Sequence, residues 1–422
     1  MTAVLLLAVF ALFAALMFLR YLPALLAVPA MAATVAIVVR EPAMQWMTYV
    51  IGDGAVRLAP AYVAVCAGAM LGRVMLKTGI AEEVIRSAAE FGGDRPMMVA
   101  AGLMLATAVL FTSLTGLGAV IMVGSLVLPI MMSLGIPRRL TAVLFLLAYA
   151  TGFIFNIALW RLYRELLQVS PDAALPPELP RFAAALALVM GVVVTVYAVQ
   201  AARRAPELRM WAVDAPRPAR RALSPLAYLT PFVPLVLYVG FGWRELPAFL
   251  AGALYGVLTT QPTRLVQTLV ASLLEGIGDA APAAVLMAGI GMLLNALTLP
   301  AVREALAPLV AQLPVGQPLA YVLFFGLLSP LALYRGPLNP YGVGIGVYAL
   351  LLSSGLLPPL ALLAAIMSVV QVQNVCDPTN THNVWVATYT GVRVEDLTVA
   401  TLPAMMLVCL GGLIIGALMF LA

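Results

Sequence analysis

The feature that most constrains this chain is its succession of apolar runs, joined by short polar stretches. In the first half they cover roughly 3–19, 22–39, 59–76, 97–111, 119–134, 139–160 and 182–200. In the second half they cover roughly 226–241, 246–260, 281–298, 318–333, 343–357, 360–376 and 399–421. A helix needs about 20 apolar residues to cross a bilayer. Hydrocarbon leaves no partner for bare backbone groups, so spans of this kind must be helical. Hydrophobic residues fill 64% of the 422 positions and charged residues 10%, more apolar surface than a soluble core can use. The expected class is an all-α polytopic membrane protein whose solvent is mostly lipid. Extramembrane stretches are too short for a separate soluble domain. The net charge of +5 then bears on membrane orientation and not on nucleic acid. Cys66, Cys376 and Cys409 have no paired spacing, which argues against a disulfide framework or a metal knuckle. The first run lacks a basic leader and reads as a mature span.

The two halves echo each other. Gly52-Asp53, Ala59-Pro60-Ala61 and Gly68 recur as Gly278-Asp279, Ala281-Pro282-Ala283 and Gly289. Gly116 recurs as Gly336, and Ser133-Leu134-Gly135 with Leu140 recurs as Ser353-Ser354-Gly355 with Leu360. Single matches mean little where Gly and Ala abound, but several in one order, at an offset near 220 residues, point to duplication. The first repeat is assigned to 1–200, a basic linker to 201–224 and the second repeat to 225–422.

In each half a pair of short runs flanks a Gly- or Pro-rich break. These are read as re-entrant hairpins over 97–134 and 318–357, with tips at 112–118 and 334–342. The linker carries Arg203, Arg204, Arg209, Arg217, Arg220 and Arg221 against Glu207 and Asp214, which makes it cytoplasmic. Counting back through the spans puts Arg138 and Arg139 on the same side, and Lys77, Arg86 and Arg95 join them if 97–134 enters and leaves on one face. Each repeat thus has about five spans plus one hairpin, and the odd span count inverts the second repeat.

Non-helical chain at membrane depth must be buried in protein or line a wet cavity. Besides the tips, two further breaks qualify, at 149–156 and 374–383. The second runs Asn374-Val375-Cys376-Asp377-Pro378-Thr379-Asn380-Thr381-His382-Asn383 and contains the chain's single histidine. Pro378 lacks an N–H and frees carbonyls near Asn374. Such carbonyls, with the oxygens of Asn and Asp377, suit a sodium ion near Asn374 and Asp377. His382 beside Asp377 suits a proton instead. Asn156 is the counterpart of this stretch in the first repeat, so the coupling-cation set is Asn156, Asn374, Asp377 and His382. Arg335, at the second tip, has two readings: a grip on a substrate carboxylate, or an ion pair with Asp377. Thr112, Ser113, Thr115 and Gly116 at the first tip, with Gly336, Asn339, Thr379 and Asn380, complete the candidate substrate site. Asp53 and Asp279 each precede an apolar run and are read as N-caps.

The two glycine-bearing tips, Thr115-Gly116-Leu117-Gly118 and Arg335-Gly336-Pro337-Leu338-Asn339-Pro340, together with Asn374–Asn383, resemble the ion transporter superfamily. That group holds the divalent anion–sodium symporters and the citrate- and gluconate-type carriers. The first tip reads Thr-Ser-Leu-Thr where the sodium–dicarboxylate branch carries Ser-Asn-Thr. The resemblance implies a homodimer in which a hairpin-bearing domain moves as an elevator against a scaffold. The expected function is proton- or sodium-coupled symport of a small organic anion, a carboxylate, across the bacterial inner membrane. No cofactor is expected beyond that sodium ion. The alternative is a cation/proton antiporter without organic substrate. An intramembrane enzyme is disfavoured, because neither an HExxH motif nor a nucleophile–base pair within one break is present.

Overall fold

The computed structural model describes residues 1–19, 21–91, 96–166, 175–204, 223–313, 315–342 and 344–421. Arg95 and the linker residues 205–222, on which part of the charge argument rests, lie outside them. The described residues form helices without a strand, in two series of like order. Among the described residues, seven helices are long and apolar enough to cross a membrane, or eight if one bent pair counts as a span; six further apolar helices are shorter.

The first series opens with α1 (Thr2–Phe18) and α2 (Ala24–Val38). α3 (Ala43–Gln45), a π-helical turn Trp46–Asp53 and α4 (Gly54–Arg57) lead into α5 (Ala59–Lys77). The amphipathic α6 (Ile80–Phe91) then delivers the chain to a hairpin of α7 (Pro96–Phe111) and α8 (Gly116–Ser133). α9 (Arg138–Phe153) and α10 (Ile157–Leu166) are bent by 63° at the break between them, followed by α11 (Glu178–Arg204).

The second series repeats this plan. A 3-10 segment Pro225–Phe232 continues as α12 (Val233–Phe241), followed by α13 (Glu245–Leu258). The 34-residue α14 (Leu265–Thr298) and the short α15 (Pro300–Val310) lead to the second hairpin. Its arms are α16 (Pro318–Leu328) and α17 (Gly344–Ser354), joined through a 3-10 segment Ser329–Arg335. α18 (Pro359–Cys376) and α19 (Thr381–Thr390) form the second broken span, and α20 (Val394–Phe420) ends the chain.

Composition stops the helical arms. Gly135 and Gly355, matched in the repeat, both take left-handed φ (+80° and +68°) where the descending arms end. The broken spans are the most sequestered parts of the molecule. α9 is buried from Thr141 to Ala150, and α18 from Ala361 to Cys376. Lipid-facing leucines and valines lie instead on α1, α11, α14, α16 and α20. This is a multi-pass membrane protein built of two inverted repeats. The pair α5 and α14, one helix from each half, packs most extensively.

Candidate functional site

The first tip is held by its own break. The side-chain amide of Asn156, fully buried, donates to the carbonyls of Phe111 (3.2 Å) and Leu114 (3.1 Å), and its oxygen accepts the Ala158 N–H (3.1 Å). The indole of Trp160 takes the freed carbonyl of Ile154 (2.7 Å). These bonds close the helix ends that the break leaves open. Beyond the break, α10 is pinned to the second half. Arg161 pairs with Glu165 and Glu245 (3.7 Å), and Arg164 reaches Glu245 (3.9 Å) and the Tyr238 hydroxyl (3.2 Å).

The tip hydroxyls are committed to backbone. Thr112 donates to Val109 (2.7 Å), Ser113 to the carbonyl of Pro231, and Thr115 to Val65 (3.1 Å). Of the first-tip candidates, Thr115 and Gly116 border the central cavity, whereas Thr112 and Ser113 do not.

The second break uses most of its polar side chains to close its own helix ends. Pro378 cannot bond the carbonyl of Asn374, and the His382 ring takes that carbonyl instead (2.8 Å). Asn383 donates to Val375 (3.2 Å) and Asp377 (2.9 Å), Thr398 to Cys376 (2.7 Å), and Asn380 to Gln373 (2.8 Å). The carbonyls expected to serve a sodium ion therefore already have donors. The Asp377 carboxylate accepts from the Thr379 N–H (2.9 Å) and hydroxyl (2.7 Å), the Tyr334 N–H (3.1 Å) and the Asn339 amide (3.3 Å). It is completely buried and set back from the cavity.

Around the second tip the chain is strained. Tyr334 (φ 55°, ψ 34°) and Arg335 (φ 59°) are consecutive left-handed residues, each costing about 1–2 kcal/mol for a side chain with a Cβ. This turn places Arg335 in the cavity wall. Its guanidinium forms no ion pair with a described residue and makes only a long contact (3.5 Å) to the Tyr341 carbonyl. Arg335 and Asp377 do not meet in a direct ion pair, although the charge of the carboxylate acts on the guanidinium.

Both tips and both breaks converge on a cavity of about 630 Å³. The second half supplies Arg335, Tyr341, Asn374, Thr379, Asn380 and His382, and the first half Thr115, Gly116, Tyr149 and Phe153. Tyr149 lies 4.7 Å from the His382 ring and 4.3 Å from Phe153. Asn156, Asn339, Gly336 and Asp377 support the wall from behind and do not border the space.

Asp279 also lines the cavity, and here the N-cap reading is corrected. It lies inside the unbroken α14, where Arg73 of α5 grips it with two hydrogen bonds (2.6 and 2.7 Å). Glu275 extends the pair to Arg73 (3.4 Å) and Lys77 (2.6 Å). The contact with the first tip is close: a Cβ on Gly118 would come within 2.5 Å of the Asp279 carboxylate. Asp53 does precede a helix, α4, but its side chain caps nothing. Tyr149 and Tyr341 lie inside stretches the sequence marks as breaks. Leu22 and Pro23, with the first residues of α2, also belong to the wall and carry no such mark.

Neither a protein-family profile nor a curated protein matches the sequence. Solved structures do match. The YdaH transporter of Alcanivorax borkumensis, described as having an unusual topology, aligns with a TM-score of 0.66 and 16% identity over 95% of this chain and 97% of that one. MtrF of Neisseria gonorrhoeae, described within a class of antimetabolite efflux pumps, aligns with a TM-score of 0.60 and 13% identity over 89% and 84%. At such identities the likeness is one of fold. It corrects the resemblance drawn from the tips: the fold points to YdaH, of the AbgT family, and MtrF, and not to the divalent anion–sodium symporters.

Proposed function

We propose that this membrane transporter is a secondary carrier of a small organic anion, a carboxylate, moved across the bacterial inner membrane in symport with protons or sodium. The observation that carries this reading is Arg335, a guanidinium in the cavity wall without an ion-pair partner among the described residues. A half-buried cation of this kind recognises a carboxylate through two parallel hydrogen bonds, and its desolvation cost is recovered when the anion arrives. Leu22, Pro23, Phe153, Leu286 and Met287 line the same space, so the anion carries an apolar body.

Coupling belongs to groups that meet the cavity. Asp279 and His382 do so, whereas Asp377 is occupied by four donors behind it. An elevator-type movement of the hairpins and broken spans fits the glycine-faced contact between the first tip and α14. MtrF is described as an efflux pump, so flux is to be followed in both directions.

The test is movement of radiolabelled benzoate, succinate and citrate into and out of proteoliposomes, under proton and sodium gradients. Wild type is expected to move at least one of them, and Arg335→Ala to lose roughly 100-fold in apparent affinity, about 3 kcal/mol. Gradient-driven transport unchanged in Arg335→Ala sinks the site assignment. Sodium-driven proton flux without movement of any acid would favour the cation/proton antiporter.

A further inference from the structure

The left-handed turn at the second tip does not persist unaided. Leu333 is extended (ψ 158°), and Tyr334 and Arg335 then turn left-handed together. Backbone of this kind holds only where the surroundings over-determine it. Two side chains do so here. Asp377 accepts the Tyr334 N–H with one oxygen and the Asn339 amide with the other. Asn339 donates in turn to the Ala332 carbonyl (2.9 Å) and accepts the Tyr341 N–H (2.8 Å). The turn on either side of Arg335 is thus tied to one buried carboxylate and to the amide it holds. Thr379, which borders the cavity, fixes that carboxylate through its N–H and hydroxyl. Asp377 itself does not border the cavity, and Arg335 does.

We infer that Asp377 is a positioning residue: its carboxylate holds the left-handed pair Tyr334–Arg335 in the shape that carries the guanidinium into the cavity. This rests on the reading that Arg335 receives the substrate anion. It gives Asp377 a different task from the coupling role that its place in a broken span suggests. A coupling carboxylate must exchange partners during the cycle, whereas this one is enclosed by four donors with a single job. An amide in place of this carboxylate would keep the size but lose an acceptor. Its NH2 group would then face the Tyr334 N–H or the Asn339 amide, donor against donor.

Hydrogen exchange on the full-length protein in lipid nanodiscs tests this without a substrate. In Asp377→Asn the amides of residues 333–336 are expected to exchange about tenfold to a hundredfold faster, the range for losing a hydrogen bond to a charged group. Exchange at the first tip should not change. The double variant Asp377→Asn/Asn339→Asp returns an acceptor to the pair and should restore part of the protection. If Asp377→Asn does not fold, Asp377→Glu displaces the carboxylate by one methylene and must loosen the same residues. In proteoliposomes, Asp377→Asn is expected to raise KM for a carboxylate that wild type moves, while the dependence on the ion gradient persists.

Unchanged exchange at 333–336 would overturn the inference. So would normal affinity with lost gradient dependence, the signature of a coupling group. If wild type moves none of the three acids, the functional reading fails, yet the exchange result still decides the role of Asp377.

Discussion

At the first tip Asn156 donates its amide protons to two carbonyls, whereas at the second Asp377 accepts an N–H and an amide. The two residues stand at the repeat offset, and each bridges its own hairpin tip to its own broken span. The difference between amide and acid sets which backbone groups face inward. Carbonyls inward leave the first tip relaxed, with Gly116 (φ +87°) as its left-handed residue and its hydroxyls tied down. An N–H inward requires Tyr334 and Arg335 to turn left-handed, and that turn brings a cation to the cavity. On the proposed function, one duplicated frame yields a structural tip and a recognition tip.

The comparison can be broken most forcefully by giving the first tip the acid of the second. Asn156→Asp would aim a buried carboxylate at the carbonyls of Phe111 and Leu114. Heat denaturation in detergent should show a loss of about 3–5 kcal/mol. Gly118→Ala comes next, because its Cβ meets the Asp279 carboxylate. A cost of about 1–3 kcal/mol is expected, together with slowed transport in proteoliposomes. Smaller still is the coupling between Arg73 and Asp279, which are both partly exposed. A double-mutant cycle on melting should return about 1 kcal/mol. Of the same size is Ser113→Ala, whose hydroxyl serves the Pro231 carbonyl: about 1 kcal/mol of stability and no change in carboxylate affinity. An affinity loss there would make the first tip a recognition element after all.

The all-helical class and the helix breaks are legible in the sequence, because Gly, Pro and polar residues inside apolar runs have few other uses in a membrane. Side-chain direction is not. Thr112 and Ser113 look like ligands by type, but each satisfies a carbonyl at a helix end, a local demand that composition does not reveal. The polar wealth of 374–383 looks like an ion site and mostly closes the ends of α18 and α19. Asp279 reads as a cap because an apolar run follows it, yet α14 continues through that position from Leu265. Its partner Arg73 lies in the other half, beyond the reach of local pattern. The resemblance drawn from the tips pointed to the wrong relatives, while the all-helical class it went with is the one observed.

The central claim is that the Arg335 guanidinium, offered by the strained tip, is the anion-binding group of this cavity. Calorimetric titration of purified wild type and Arg335→Ala with benzoate, succinate and citrate tests it most directly. At least one acid should bind wild type and bind the variant roughly 100-fold more weakly. Equal affinity for the two proteins, or no binding of any acid to wild type, would contradict it.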